Sequence, residues 1–166
     1  MTAYKKYEKQ DQRTMASWAA DCAERVLPLF EKARPNDDRP RRAIEECRKW
    51  ADTGEFKMAT IRKASLDAHG AARETEKDSA ACFAARAAGQ AVGTAHVAQH
   101  AFGAAYYALK AIVVADPENI IKNVSKEWEW ELQRVPENLK DAVLKIIIIQ
   151  NKGSGVTIKI NKGEGF

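Results

Sequence analysis

The sequence predicts an all-α fold: a compact bundle of about seven helices followed by a short C-terminal β-hairpin. Three observations carry that expectation. Alanine occupies 29 of 166 positions, and fifteen of these fall between Ala80 and Ala115. Alanine has the best helix propensity because ordering it costs no side-chain entropy. Before residue 145 the apolar residues recur at three- and four-residue spacing, the period of one helix face. Beyond it, four consecutive isoleucines, a glycine-rich turn and an alternating segment read as two strands. The expected organisation is a helical domain over 1–144 and a hairpin with its tail over 145–166.

The first helix is expected over about 12–33, with Met15, Trp18, Cys22, Val26 and Leu29 on one stripe. Pro28 should kink or restart it. Arg34 to Asp38 form a loop, Asp38 caps the next helix, and Pro40 fits its first turn. That helix turns Ile44, Cys47 and Ala51 inward and stops near Gly54. A third, over about 55–76, places Met58, Ile61, Ser65, Ala68 and Ala72 on one face, with a bend allowed at Gly70. Asp78 or Ser79 caps the alanine-rich segment, which is too long for one ordinary helix and should break near Thr94 to Ala98. Asp116-Pro117-Glu118 reads as the start of a helix running to about Arg134, and Pro136 restarts a short one to about Leu144. Asn151 to Gly155 carry turn chemistry between the two strands. An isolated hairpin is marginal in water, so it must dock on the helices or pair with a second chain. The last six residues read as loosely held.

Bulk properties narrow the function classes. Twenty-seven basic and 23 acidic side chains leave a formal charge of +4, too small an excess to point to nucleic acid. The Arg39, Arg41, Arg42, Arg48 and Lys49 run is offset by Asp37, Asp38, Glu45 and Glu46. Met1 to Gln10 are charged and polar, so a secretory leader is not expected and the cytoplasm is the expected compartment. Ala87 to Leu109 carry no charged residue, but Gln90, His96, Gln99 and His100 would each need a partner in lipid, so no membrane span is expected. Cys22, Cys47 and Cys82 lack any disulfide or metal-binding spacing.

Chemical motifs are weak. Ala81, Ala85, Gly89 and Gly93 form a small-residue ridge at i+4 spacing, which suits close helix packing. His96 and His100 are four apart, and His69 lies on an inward face, so a three-histidine metal site is conceivable. The competing expectation is that these histidines are hydrogen-bonded in or beside the core. No nucleophile elbow or phosphate-cradling glycine loop is present, and Cys22 and Cys82 sit on apolar stripes where thiols stay protonated. No catalytic residue or cofactor is expected. Residues 116–144 carry a net charge of −3, with Glu127, Glu129 and Glu131 as an acidic patch that a basic partner or the basic tail could meet. The stripe Ile121, Val124, Trp128, Leu132 and Val135 leaves Trp130 about 200° from Trp128, among acids. Such a tryptophan is either covered by another element or serves as an interface anchor.

Several blocks together resemble a known family. They are Trp18 to Phe30, Arg41 to Trp50, Ala71 to Glu74, Ala80 to Gln90, Thr94 to Val97 and Ala104 to Lys110. As a set they resemble bacterial immunity proteins of the group like the fifth immunity class of polymorphic toxin systems. The resemblance covers roughly 11–143 and leaves the tail from Lys145 outside. It implies an all-helical fold and a role in neutralising a toxin by binding it. The expected function is therefore toxin neutralisation by protein–protein interaction, with Trp130, Glu127, Glu129 and Glu131 as partner-binding residues. The alternatives are a small metal-dependent enzyme using His69, His96 and His100, or a structural protein that dimerises through its hairpin.

Overall fold

The computed structural model describes residues 4–163 and 166. Seven α-helices are followed by an antiparallel hairpin, as the sequence predicts. They are α1 (Lys9–Ala33), α2 (Arg39–Thr53), α3 (Met58–Arg73), α4 (Ala80–Gly93), α5 (His100–Ala115), α6 (Ile120–Arg134) and α7 (Lys140–Ile146). A 3-10 turn at Glu137–Leu139 leads into α7, and β1 (Ile147–Lys152) pairs with β2 (Gly155–Ile160).

α4 is the axis of the bundle. Its sequence is almost entirely alanine, glycine and small apolar residues, so α1, α2, α3 and α5 can all pack directly against it. Ser79 caps it: the Cys82 N–H donates to Ser79 Oγ at 3.1 Å. α4 ends at Gly93, and turns over 94–99 return the chain as α5. The uncharged run is thus split as expected, and no helix among the described residues is long and apolar enough to cross a membrane.

Pro28 does not interrupt α1. The carbonyl it leaves unpaired belongs to Glu24, and both residues face solvent, where water can satisfy that oxygen. At the start of α2 it is Asp37, not Asp38, that accepts the Arg39 N–H, at 3.2 Å, while Asp38 pairs with Arg42. The chain leaves α2 through Gly54, whose φ of 70° lies in the left-handed region, and the Gly54 N–H closes the helix on the Trp50 carbonyl at 2.8 Å. On α3, Ile61, Ala68 and Ala72 face inward, but Met58 is 45% exposed at the first position of the helix.

α6 begins three residues later than the Asp-Pro-Glu signal suggests. Asp116 spends its carboxylate on the loop, accepting the Glu118 N–H and the side-chain amides of Asn119 and Asn123. α7 runs two residues past Leu144, so β1 opens at Ile147. The hairpin register pairs Ile147 with Ile160 and Ile149 with Ile158, and Gly153 turns at φ 61°. Ile147 and Ile158 are buried, and β2 packs on α5 and α6. The hairpin therefore finds its apolar support within its own chain. The tail is not wholly loose: the Phe166 carbonyl accepts the Lys5 N–H at 2.9 Å, and its ring lies 6.2 Å from that of Phe102. Residues 1–3 and 164–165 lie outside the described residues.

Candidate functional site

The sequence points to two places, the acidic α6 face around Trp130 and the three histidines. In each the structure changes the picture.

α6 is rotated relative to its purely apolar stripe. Val124 and Val135 are buried, but Ile121 is 38% exposed, and the helix turns Glu127 and Glu131 inward. The expected acidic patch is thereby divided: Glu129 remains on the surface, while Glu127 and Glu131 sit against α1. Glu127 is held there by a two-pronged pair with Arg25, whose Nη2 and Nε lie 2.8 and 3.2 Å from its carboxylate oxygens. The planar guanidinium fork matches the planar carboxylate, which is why arginine suits a half-buried pair.

Glu131 has no such partner. Its side chain is fully buried, and neither carboxyl oxygen meets a hydrogen-bond donor. Burial and the neighbouring Glu127 charge push this carboxyl well above the ordinary range, against a smaller opposing pull from Arg25. Its backbone carbonyl, by contrast, accepts the Trp18 indole N–H at 3.0 Å and ties α1 to α6. Cys22 lies nearby, and burial together with Glu131 and Glu127 raises its thiol strongly, so it stays protonated.

Trp130 is half-buried, and two cations cover its ring. The guanidinium carbons of Arg25 and Arg134 lie 4.2 and 4.0 Å from its ring centroid. Arg25 thus ties Glu127 and Trp130 into one unit. Nothing in the apolar periodicity marks Arg25, because the residue it meets lies a hundred positions further along the chain.

The histidines do not converge on an ion. His96 lies in the turn after α4, whereas His100 opens α5, so the four-residue spacing does not place them on one helix face. No group of three or more His, Cys, Asp or Glu among the described residues is placed to hold a metal. His69 and His100 instead pack on the small-residue ridge. A Cβ at Gly89 would stand 2.7 Å from His69 Nε2, and one at Gly93 would stand 3.1 Å from the His100 ring. His100 Nδ1 donates to Gln90 Oε1 at 2.7 Å. Burial holds both imidazoles neutral, with His69 lowered to about 4 by desolvation and then by Arg86, Arg73 and His100. Cys47 is also inert, pushed up to about 12 by burial between α1 and α4.

The titratable groups enclosed by the fold thus include a protonated carboxyl, a carboxylate paired with Arg25, neutral imidazoles and protonated thiols. No curated protein and no solved structure matches the chain. Residues 5–138, from the segment before α1 to the turn after α6, match the family described as Imm-5 like putative immunity protein. α7 and the hairpin lie beyond the match. With four-fifths of its length inside that family's boundaries, the chain belongs to the Imm-5-like immunity proteins.

Proposed function

We propose that this protein binds and neutralises a protein toxin in the cytoplasm, acting as a binding protein and not as an enzyme. The family match over 5–138 carries this reading. Three free, buried cysteines accord with a reducing compartment. The contact surface is the solvent side of α6, with Trp130 as anchor and Glu129 beside it. Glu127 contributes indirectly, by fixing Arg25 against the indole, and Glu131 lies behind the surface as part of its support. A tryptophan already clamped by Arg25 and Arg134 loses little further freedom when a partner covers it, so more of its contact energy appears as affinity.

The test is calorimetric titration against the toxin encoded beside this gene. Trp130→Ala is expected to weaken binding by about 2 kcal/mol, the scale of an interface anchor. The variant's thermal melt separates lost contact from lost fold. Undiminished affinity in a folded Trp130→Ala would move the contact surface elsewhere, and failure of the wild-type chain to bind would remove the proposed function.

A further inference from the structure

The two cations that bound the uncharged stretch of 87–109 are Arg86 and Lys110. Because the chain reverses between α4 and α5, these two ends meet. Both residues line one open cleft of about 560 Å³, walled by Phe83, Tyr106 and Tyr107, with Asp78 at its rim.

We propose that this cleft is a binding site for an oxyanion, a phosphate or carboxylate group held between Arg86 and Lys110. Of the ten other arginines, Arg25, Arg39, Arg41, Arg42 and Arg48 each form an ion pair, Arg34, Arg62, Arg73 and Arg134 are exposed, and Arg13 donates to the Ala51 and Asp52 carbonyls. Arg39 and Arg48 each engage two acids. Arg86 and Lys110 are both half-buried, yet neither forms an ion pair among the described residues. Asp78, the one carboxylate in the lining, is exposed and outside ion-pair distance of either cation. The cleft therefore holds an excess positive charge among aromatic walls.

Lysine usually escapes such a place by extending into water. Here Lys110 Nζ lies 5.3 Å from the Phe83 ring centroid and 5.8 Å from that of Tyr106, which keeps the ammonium over the cleft. Those rings are themselves fixed, with Phe83 and Tyr107 stacked at 6.1 Å and Tyr106 and Tyr107 edge to face at 5.0 Å. The Arg86 charge reaches inward as well: it helps to lower His69 and opposes the rise of the Tyr107 hydroxyl. A guanidinium fork and a point cation lining one cleft, both partly desolvated and neither paired with an acid, form an arrangement that suits phosphate or carboxylate oxygens. The site is on the α4–α5 face and does not depend on the toxin-binding reading.

Thermal melts and calorimetry on the isolated protein test it, with sodium phosphate and sodium acetate as separate probes and sodium chloride matching ionic strength. A saturable stabilisation by either oxyanion beyond chloride is expected, and the arm that saturates identifies the phosphate or carboxylate source. Lys110→Gln and Arg86→Gln should each raise the dissociation constant at least tenfold, and Lys110→Arg should keep binding within threefold of wild type. Asp78→Asn should tighten it, since it removes the opposing charge. No saturable effect of either oxyanion on the wild-type protein would overturn the proposal. So would glutamine variants that bind the oxyanion as tightly as wild type, their own melts showing that they are folded.

Discussion

Where α3, α4 and α5 meet, helices approach through alanine and glycine, and the polar groups enclosed there are neutral: His69, His100, Gln90 and Thr94. Where α1 meets α6, two carboxyls are enclosed between tryptophans and one arginine. The first interface is specified by shape, because a methyl group is the largest side chain the ridge admits. The second is specified by charge, because Glu127 must find Arg25 and Glu131 must stay protonated. A mutation should therefore act by volume in one and by electrostatics in the other.

The largest effect is expected at the ridge. In Gly89→Leu the new side chain starts within 3 Å of the His69 ring, so either α3 or the imidazole must move. The expected cost is about 3 kcal/mol in urea unfolding, the upper end for an over-packed core. Gly89→Ala sharpens the point. An interior helical glycine replaced by alanine normally gains up to about 1 kcal/mol. Here the change should destabilise, and combining it with His69→Ala should restore the gain. A Gly89→Ala protein more stable than wild type would mean that the ridge is not closed by His69.

The seam should answer differently. Arg25→Ala leaves Glu127 buried with no counter-charge, a situation that costs about 3–5 kcal/mol for a fully buried pair. Arg25 is 37% exposed against 6% for Glu127, so solvent screening reduces the expected loss to about 2 kcal/mol. Arg25→Ala should also free the Trp130 ring, seen as a red shift in tryptophan emission in a Trp18→Phe, Trp50→Phe, Trp128→Phe background. A loss below about 0.5 kcal/mol would class the pair with ordinary surface bridges. Glu131→Leu should run the other way and raise stability by about 1 kcal/mol at pH 7, since it replaces a buried carboxyl without donors by a group that needs none. Lower stability in Glu131→Leu would show that a donor reaches that carboxyl in solution.

The same contrast explains what could be read in advance. The ridge was legible because its information is local: Ala81, Ala85, Gly89 and Gly93 declare close packing by spacing alone, and Ser79 declares the start of α4. The break after Gly93 was legible because the uncharged stretch exceeds an ordinary helix, and the hairpin because four isoleucines precede turn residues. The seam was not legible. Periodicity counts apolar residues, so it aligned α6 on Ile121 and Trp128 and placed Glu127 and Glu131 outside. What reorients the helix is the Trp18 indole donating to the Glu131 carbonyl and Arg25 gripping Glu127, contacts 113 and 102 residues apart in the chain. For the same reason Trp130 was found to be unusual, but its arginine clamp was not foreseen, and a histidine spacing that suggests metal dissolved once His96 fell in a turn.

The smallest effect, and the finest discriminator, is the pH dependence of stability. His69 is lowered to about 4 in the folded protein, so the native state binds fewer protons than the unfolded chain, where a histidine titrates near 6.5. Its favourable contribution is complete above about 6.5 and is lost as pH falls towards 4. Glu131 has the opposite sign. Its folded carboxyl is raised, so the native state binds more protons; the contribution is complete below the ordinary carboxyl range and is lost as pH rises through the raised value. The shape-specified interface thus weakens as pH falls and the charge-specified one as pH rises. Denaturant midpoints across pH should show His69→Gln flattening only the limb that falls with falling pH and Glu131→Gln only the limb that falls with rising pH. The two interfaces are linked only through α1, which packs on α4 and α5, and share no titrating group, so the two effects should add in the double variant. A single variant that flattened both limbs would show that the imidazole and the carboxyl titrate as one coupled system, and the division between the two interfaces would fail with it.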